Sequence, residues 1–163
     1  MKWIKEYFIK RTLNKKRETP AKRALTQFQH IKTICVLAET KNEIHEINEA
    51  ITSYMGESVL VSSWYFDKTA NDEQAISDKD FTLFGEPGEK LNQFLSLSPD
   101  LIIFTFEKQN YFALYLLHLK PEPYRIGFYS EELKPYLDLM LDKEGKDTRS
   151  DTEQLLKYLK QIN

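Results

Sequence analysis

"PDLIIFTFEKQNYFALYLLHLKPEPYRIGFY", residues 99–129, decides the fold. Its first eight residues are an apolar, β-rich run too short for a helix, and Pro99 stands at the strand entrance, where a missing amide donor is tolerated. "NYFALYLLHLK" (110–120) then reads as a helix, and "KPEP" (120–123) forces the chain out of it, because proline lacks the amide and clashes with the preceding turn. "YRIGFY" (124–129) is a second strand. Strand, helix, strand is a crossover unit, which joins parallel neighbours with a right-handed connection.

The same alternation extends in both directions. Ile31 to Ala38, "IKTICVLA", is a strand buried on both faces, bounded by the polar "ETKNE". "NEIHEINEAITSYM" (42–55) repeats apolar residues at Ile44, Ile47, Ile51 and Met55, with Asn42 placed to cap the helix and Gly56 to end it. "SVLVSSWYF" (58–66) is a strand, and "NDEQAISDKD" (71–80) reads as a polar surface loop. "DFTLFGEPGEK" (80–90) fits a short edge strand and a turn, and "EKLNQFLSL" (89–97) a short helix with Leu91, Phe94 and Leu95 inward. "SEELKPY" (130–136) is a capped turn and "LDLMLD" (137–142) a fifth short strand. The terminal helix, "DTEQLLKYLKQIN" (151–163), carries Leu155, Leu156, Leu159 and Ile162 on one stripe. The expected fold is α/β: a Rossmann-like open, mainly parallel sheet of about five strands with helices on both faces, plus a basic amphipathic N-terminal helix.

At 163 residues and 41% hydrophobic content the chain suits one domain with one core. Its charge is divided. Residues 1–34 carry ten Lys/Arg against two Asp/Glu, and residues 35–163 carry thirteen against twenty-three, so a net +8 precedes a net −10. The expected organisation is a basic arm over residues 1–25 on a single α/β body over 26–163. Such an arm favours anionic surfaces, while the acidic body disfavours nucleic acid. Cys35 is the one cysteine, which excludes a disulfide framework or a cysteine-based zinc site within the chain. Charged residues cut every apolar run well short of the roughly 20 residues of a transmembrane span. The expected setting is cytoplasmic, with a peripheral position at the inner membrane as one reading of the arm.

Within the arm, Trp3, Ile4, Tyr7 and Phe8 share one helical face, followed by Arg11, Lys15, Lys16, Arg17, Lys22 and Arg23. An aromatic face beside a basic tract suits a membrane interface, a protein partner or the chain's own sheet. The tract also offers phosphate contacts. It lacks the interleaved aromatics of single-strand binders, which makes nucleic acid the weaker alternative.

The stretch from Ser98 to Asp142, together with "IKTICVLAE", "FTLFG" and "LLKYLKQIN", resembles an uncharacterised domain-of-unknown-function family of Bacteroidota, short cytoplasmic α/β proteins with a basic N-terminal arm. The resemblance implies a fold and no chemistry. A more distant similarity, over "DLIIFTF" and "RIGF", is to the N-terminal Rossmann-like half of heptosyltransferase-type glycosyltransferases. Those enzymes have a glycine-rich turn after the first strand, where this chain has "AETKNEIHE", and they use a second Rossmann domain for the nucleotide sugar.

No phosphate-binding glycine loop follows any strand, and "GEPG" (85–88), whose own Glu86 and adjacent Glu89 would repel a phosphate, reads as a turn. His45 and Glu49 lie four apart on a helix, but two ligands make no metal site. No catalytic set, metal or cofactor is implied. Open parallel sheets bind ligands at the carboxyl ends of their strands, and Glu39, Thr105, Glu107, Asn110 and Tyr129 are the candidates there. The reading favours a binding or adaptor protein acting through the arm. The alternatives are a glycosyltransferase-like or small-ligand domain using the strand ends, and an RNA- or ribosome-associated factor.

Overall fold

The computed structural model describes residues 1–15, 23–145 and 147–162. Six strands, β1 (Thr33–Ala38), β2 (Leu60–Phe66), β3 (Ala75–Ile76), β4 (Leu101–Phe104), β5 (Tyr124–Phe128) and β6 (Leu139–Leu141), form one sheet in the order β3-β2-β1-β4-β5-β6. Every pairing is parallel. The helices are α1 (Lys2–Lys15), α2 (Lys41–Met55), α3 (Asn92–Ser96), α4 (Tyr111–His118) and α5 (Thr148–Gln161).

All five expected strands are present. The sixth is a correction: the two-residue β3 lies inside the segment read as a polar loop, while "FTLF" makes only an isolated bridge between Phe81 and Pro87. Two residues are too few to carry a periodicity. A second correction concerns α2, which is capped by Thr40 and not by Asn42. The Thr40 hydroxyl accepts from the Glu43 amide while the Glu43 carboxylate accepts from the Thr40 amide, a reciprocal capping box.

Side-chain alternation along β1 sorts the core into two layers. Ile34, Val36 and Ala38 pack under α2 and α5, and Cys35 and Leu37 pack under α1, α3 and α4. The helix α1 belongs to the second layer through Ile9 and Leu13. Burying two such side chains stabilises the docked helix by about 1.5–3 kcal/mol each. Strands β4 and β5 approach too closely for a side chain at Gly127, where a Cβ would collide with the Phe104 carbonyl oxygen and lie 2.8 Å from Leu137 Cδ1.

The amino end of the sheet is closed by buried cations. Arg125 donates to the carbonyls of Leu117 and Lys120, at the end of α4, and to that of Tyr136. Burial pushes its guanidinium down to about 10, with the neighbouring Arg23 adding to the shift and Asp138 opposing it. Lys120 donates to the carbonyls of Leu95 and Leu97, and so ties the end of α3 to the end of α4.

Candidate functional site

Strand order reverses between β1 and β4, and a crevice of about 650 Å³ opens over the carboxyl ends of the strands at that point. Its walls come from the residues that follow each strand: Glu39 after β1, Asp67 and Lys68 after β2, Ser77 and Asp78 after β3, and the 108–112 segment leading into α4. Phe66, Phe106 and Phe112 supply the apolar surface, with Phe66 and Phe106 edge to face at 5.3 Å. Lys2 and Glu6 of α1 complete the rim, so the N-terminal helix forms one wall. Asp67 is held below its ordinary value by hydrogen bonds from the Thr69 amide and hydroxyl, which keeps it ionised.

The head of α2 is where a parallel sheet of this order would place a phosphate. Here it holds the chain's own carboxylate. Glu43 Oε2 accepts the amides of Glu39 at 3.0 Å and Thr40 at 3.2 Å, and the Thr105 hydroxyl lies 3.5 Å from the same oxygen. Burial raises the Glu43 carboxyl above its ordinary value, an effect the Thr40 amide opposes and the Glu39 carboxylate reinforces. The amides of Glu39, Thr40 and Glu43 already have acceptors, and a second anion would meet the Glu43 carboxylate. The missing glycines and the Glu43 carboxylate therefore disfavour a nucleotide phosphate at this position for separate physical reasons.

Of the five strand-end candidates, Glu39 and Asn110 line the crevice. Asn110 also caps α4, its side-chain oxygen accepting the Ala113 amide at 3.1 Å. Thr105 is fully buried beside Glu43. Glu107 pairs with Lys143 at 2.7 Å, and the Tyr129 hydroxyl donates to Glu131 at 2.7 Å; neither lines the crevice. Sequence reasoning missed Glu43, although "TKNE" (40–43) is a capping-box pattern that places a carboxylate over the end of β1. His45 and Glu49 pair at 2.8 Å, and Glu49 also meets Arg149 of α5 at 3.0 Å, so they join two helices. Among the described residues no group of three or more His, Cys, Asp or Glu could hold a metal ion.

Next to the crevice, α1 presents two faces. Ile9 and Leu13 are buried against the body, Lys5 Nζ donates to the Asp78 carbonyl at 2.8 Å, and Lys10 Nζ lies 4.3 Å from the centre of the Tyr111 ring. Trp3 and Tyr7 lie about 120° round the helix from that stripe, at 3.6 residues per turn, and are 71% and 56% exposed. Ile4 and Phe8 are half-buried between the two faces, and Phe8 meets Phe84 edge to face at 5.3 Å. Arg11 and Lys15 are exposed. Lys16, Arg17 and Lys22 lie outside the described residues. Arg23 is taken up by the body: its Nε donates to Asp138 at 2.8 Å and its side chain is 9% exposed.

Fold and site together define an open, all-parallel α/β domain of the Rossmann type, with a switch-point crevice and an N-terminal helix docked beside it. The chain belongs to a family of unknown function, DUF6913, whose model matches residues 5–162. Among solved structures it is similar to the phosphorylated cyanobacterial phytochrome response regulator RcpA, with 17% identity and a TM-score of 0.45 over 81% of this chain and 91% of that one. No curated protein matches the chain. No helix among the described residues is long and apolar enough to cross a membrane.

Proposed function

We propose that this protein is a non-catalytic binding or adaptor protein, in which residues 1–25 act as a docking arm on the body formed by residues 26–163. One observation carries the reading: α1 is fixed to the body by Ile9 and Leu13 while Trp3 and Tyr7 remain exposed on its other side. Exposed aromatics cost free energy in water unless a partner covers them, and a docked helix presents them without the entropy cost of ordering a free arm. The partner surface, a cytoplasmic complex or the inner face of the membrane, meets Trp3 and Tyr7 with Arg11 and Lys15 beside them. The test is the elution and sedimentation of the full chain in a clarified lysate, compared with a Trp3→Ser, Tyr7→Ser double variant. Wild type is expected above monomer size or in the particulate fraction, and the variant at monomer size. Monomeric behaviour of both proteins would sink the reading.

A second reading rests on the crevice. Three phenylalanines beside Glu39, Asp67 and Asn110 suit a polar, hydroxyl-bearing small molecule such as a sugar, in keeping with a glycosyltransferase-like ancestry. A thermal-shift series of sugars at millimolar concentration tests it, and no stabilisation by any of them counts against it.

A further inference from the structure

We infer that the outer face of α1 docks on an anionic phospholipid surface; this rests on the docking reading above and names its partner. Two independent features of the fold lead there. The first is a concentration of exposed apolar side chains. Of the ten large hydrophobic residues exposed among the described residues, five cluster here: Met1 just before α1, Trp3 and Tyr7 in its first two turns, and Leu83 and Phe84 in the 82–85 turn beneath it. The two segments are held together, because Phe84 meets Phe8 at 5.3 Å and Phe8 meets Tyr7 at 5.4 Å. The apolar edge is thus assembled from chain segments some 75 residues apart.

The second feature is a shallow groove of about 460 Å³ lined by Tyr7, Lys10, Arg11, Asn14 and Lys15. Three cations and an amide line it, and no carboxylate does. That donor set suits the phosphate of a lipid headgroup. On the outer face Trp3 and Tyr7 come first and Lys10, Arg11 and Lys15 follow, whereas Lys2 and Lys5 turn to the crevice and the body, so apolar and anionic contacts are segregated along that face. A bilayer interface has the same segregation, with acyl boundary below and phosphate above, and tryptophan and tyrosine favour that boundary. A nucleic acid would instead call for aromatics alternating with cations on one face, whereas on this face Trp3 and Tyr7 precede Arg11 and Lys15. The net −10 of residues 35–163 adds direction, since an anionic surface repels the body and attracts the helix.

The test is flotation of the purified full chain with vesicles of phosphatidylcholine alone and of phosphatidylcholine mixed with phosphatidylglycerol, alongside binding to a labelled single-stranded RNA. Wild type is expected to float with the mixed vesicles only, and less so as salt rises. Trp3→Ser with Tyr7→Ser, and separately Arg11→Glu with Lys15→Glu, are expected to lower the bound fraction at least tenfold with the melting temperature unchanged. Failure to float with mixed vesicles, equal flotation with neutral ones, or unaltered flotation of either variant overturns the inference, as does RNA binding without flotation. If flotation fails while the lysate experiment still shows large assemblies lost in the Trp3, Tyr7 variant, the docking reading stands with a protein partner and only the lipid assignment falls.

Discussion

Gly85 packs directly against Ile9: a Cβ on Gly85 would lie 2.8 Å from Ile9 Cγ1 and 3.3 Å from the Lys5 carbonyl oxygen. The backbone of Gly85 is in the left-handed region, φ +81, where an L side chain is strained. Both constraints act at the turn on which α1 rests. Gly85→Ala is expected to cost about 1–2 kcal/mol, read as a lower urea midpoint with an unchanged slope. Trp3→Ser, on the outer face, should change the unfolding free energy by no more than about 0.5 kcal/mol.

Glu43 gives the fold a pH dependence. Its carboxyl titrates above the ordinary 4.5 in the folded state, chiefly through burial, so the folded protein holds that proton more tightly than the unfolded chain does. The resulting contribution to stability is present below about pH 4.5, the unfolded value, and is lost as pH rises through the folded one. Glu43→Gln keeps an oxygen for the Glu39 and Thr40 amides without the charge. Thermal melts from pH 4 upwards should show the variant gaining on wild type as pH increases; a constant difference would contradict the assignment.

Cys35 is buried in the sheet, and burial pushes its thiol up to about 12, with the Lys120 ammonium opposing the shift. The folded protein should fail to react with a thiol-specific disulfide reagent at about pH 8, whereas unfolded protein, with its thiol at the ordinary 9.0, reacts fully. Because the folded value is raised, this group's contribution to stability is intact below the ordinary 9.0 and is lost as pH climbs toward about 12.

Asp138 holds two arginines. Its carboxylate accepts Arg23 Nε at 2.8 Å and the Arg125 amide at 2.8 Å, and the ion-paired side chains are 9% and 15% exposed. Removing the acid leaves like charges close together in a poorly solvated place. Asp138→Ala is expected to destabilise by about 3 kcal/mol, measured by urea unfolding, and to free residues 23–26 for proteolysis.

The order of elements was legible because strands buried on both faces must be apolar runs and helices on a sheet must carry a stripe. Ile34 to Ala38, the Leu101 to Phe104 run and Leu155, Leu156 and Leu159 occupy the core positions their spacing implies. Element ends were less so: Thr40 caps α2 in place of Asn42, since a capping box is settled by which carboxylate folds back. In the candidate site, Glu39 and Asn110 reach the crevice, whereas Thr105 and Glu107 are drawn to Glu43 and Lys143, which only the folded chain brings near, and Tyr129 to its sequence neighbour Glu131.

The sequence by itself determined the α/β alternation, the division into a basic arm and an acidic body, and the lack of a glycine phosphate loop, because each is a property of local composition and spacing. Tertiary structure alone decided which side of α1 faces the body. Apolar residues occur nearly all round that helix, so periodicity could not choose between the Trp3–Tyr7 stripe and the Ile9–Leu13 stripe. In the folded chain Ile9 and Leu13 pack into the core layer, with Gly85 leaving room for Ile9, and Trp3 and Tyr7 are left exposed. Arg23 was likewise decided by a residue 115 positions away, Asp138, whose carboxylate makes a basic-arm residue part of the core's edge.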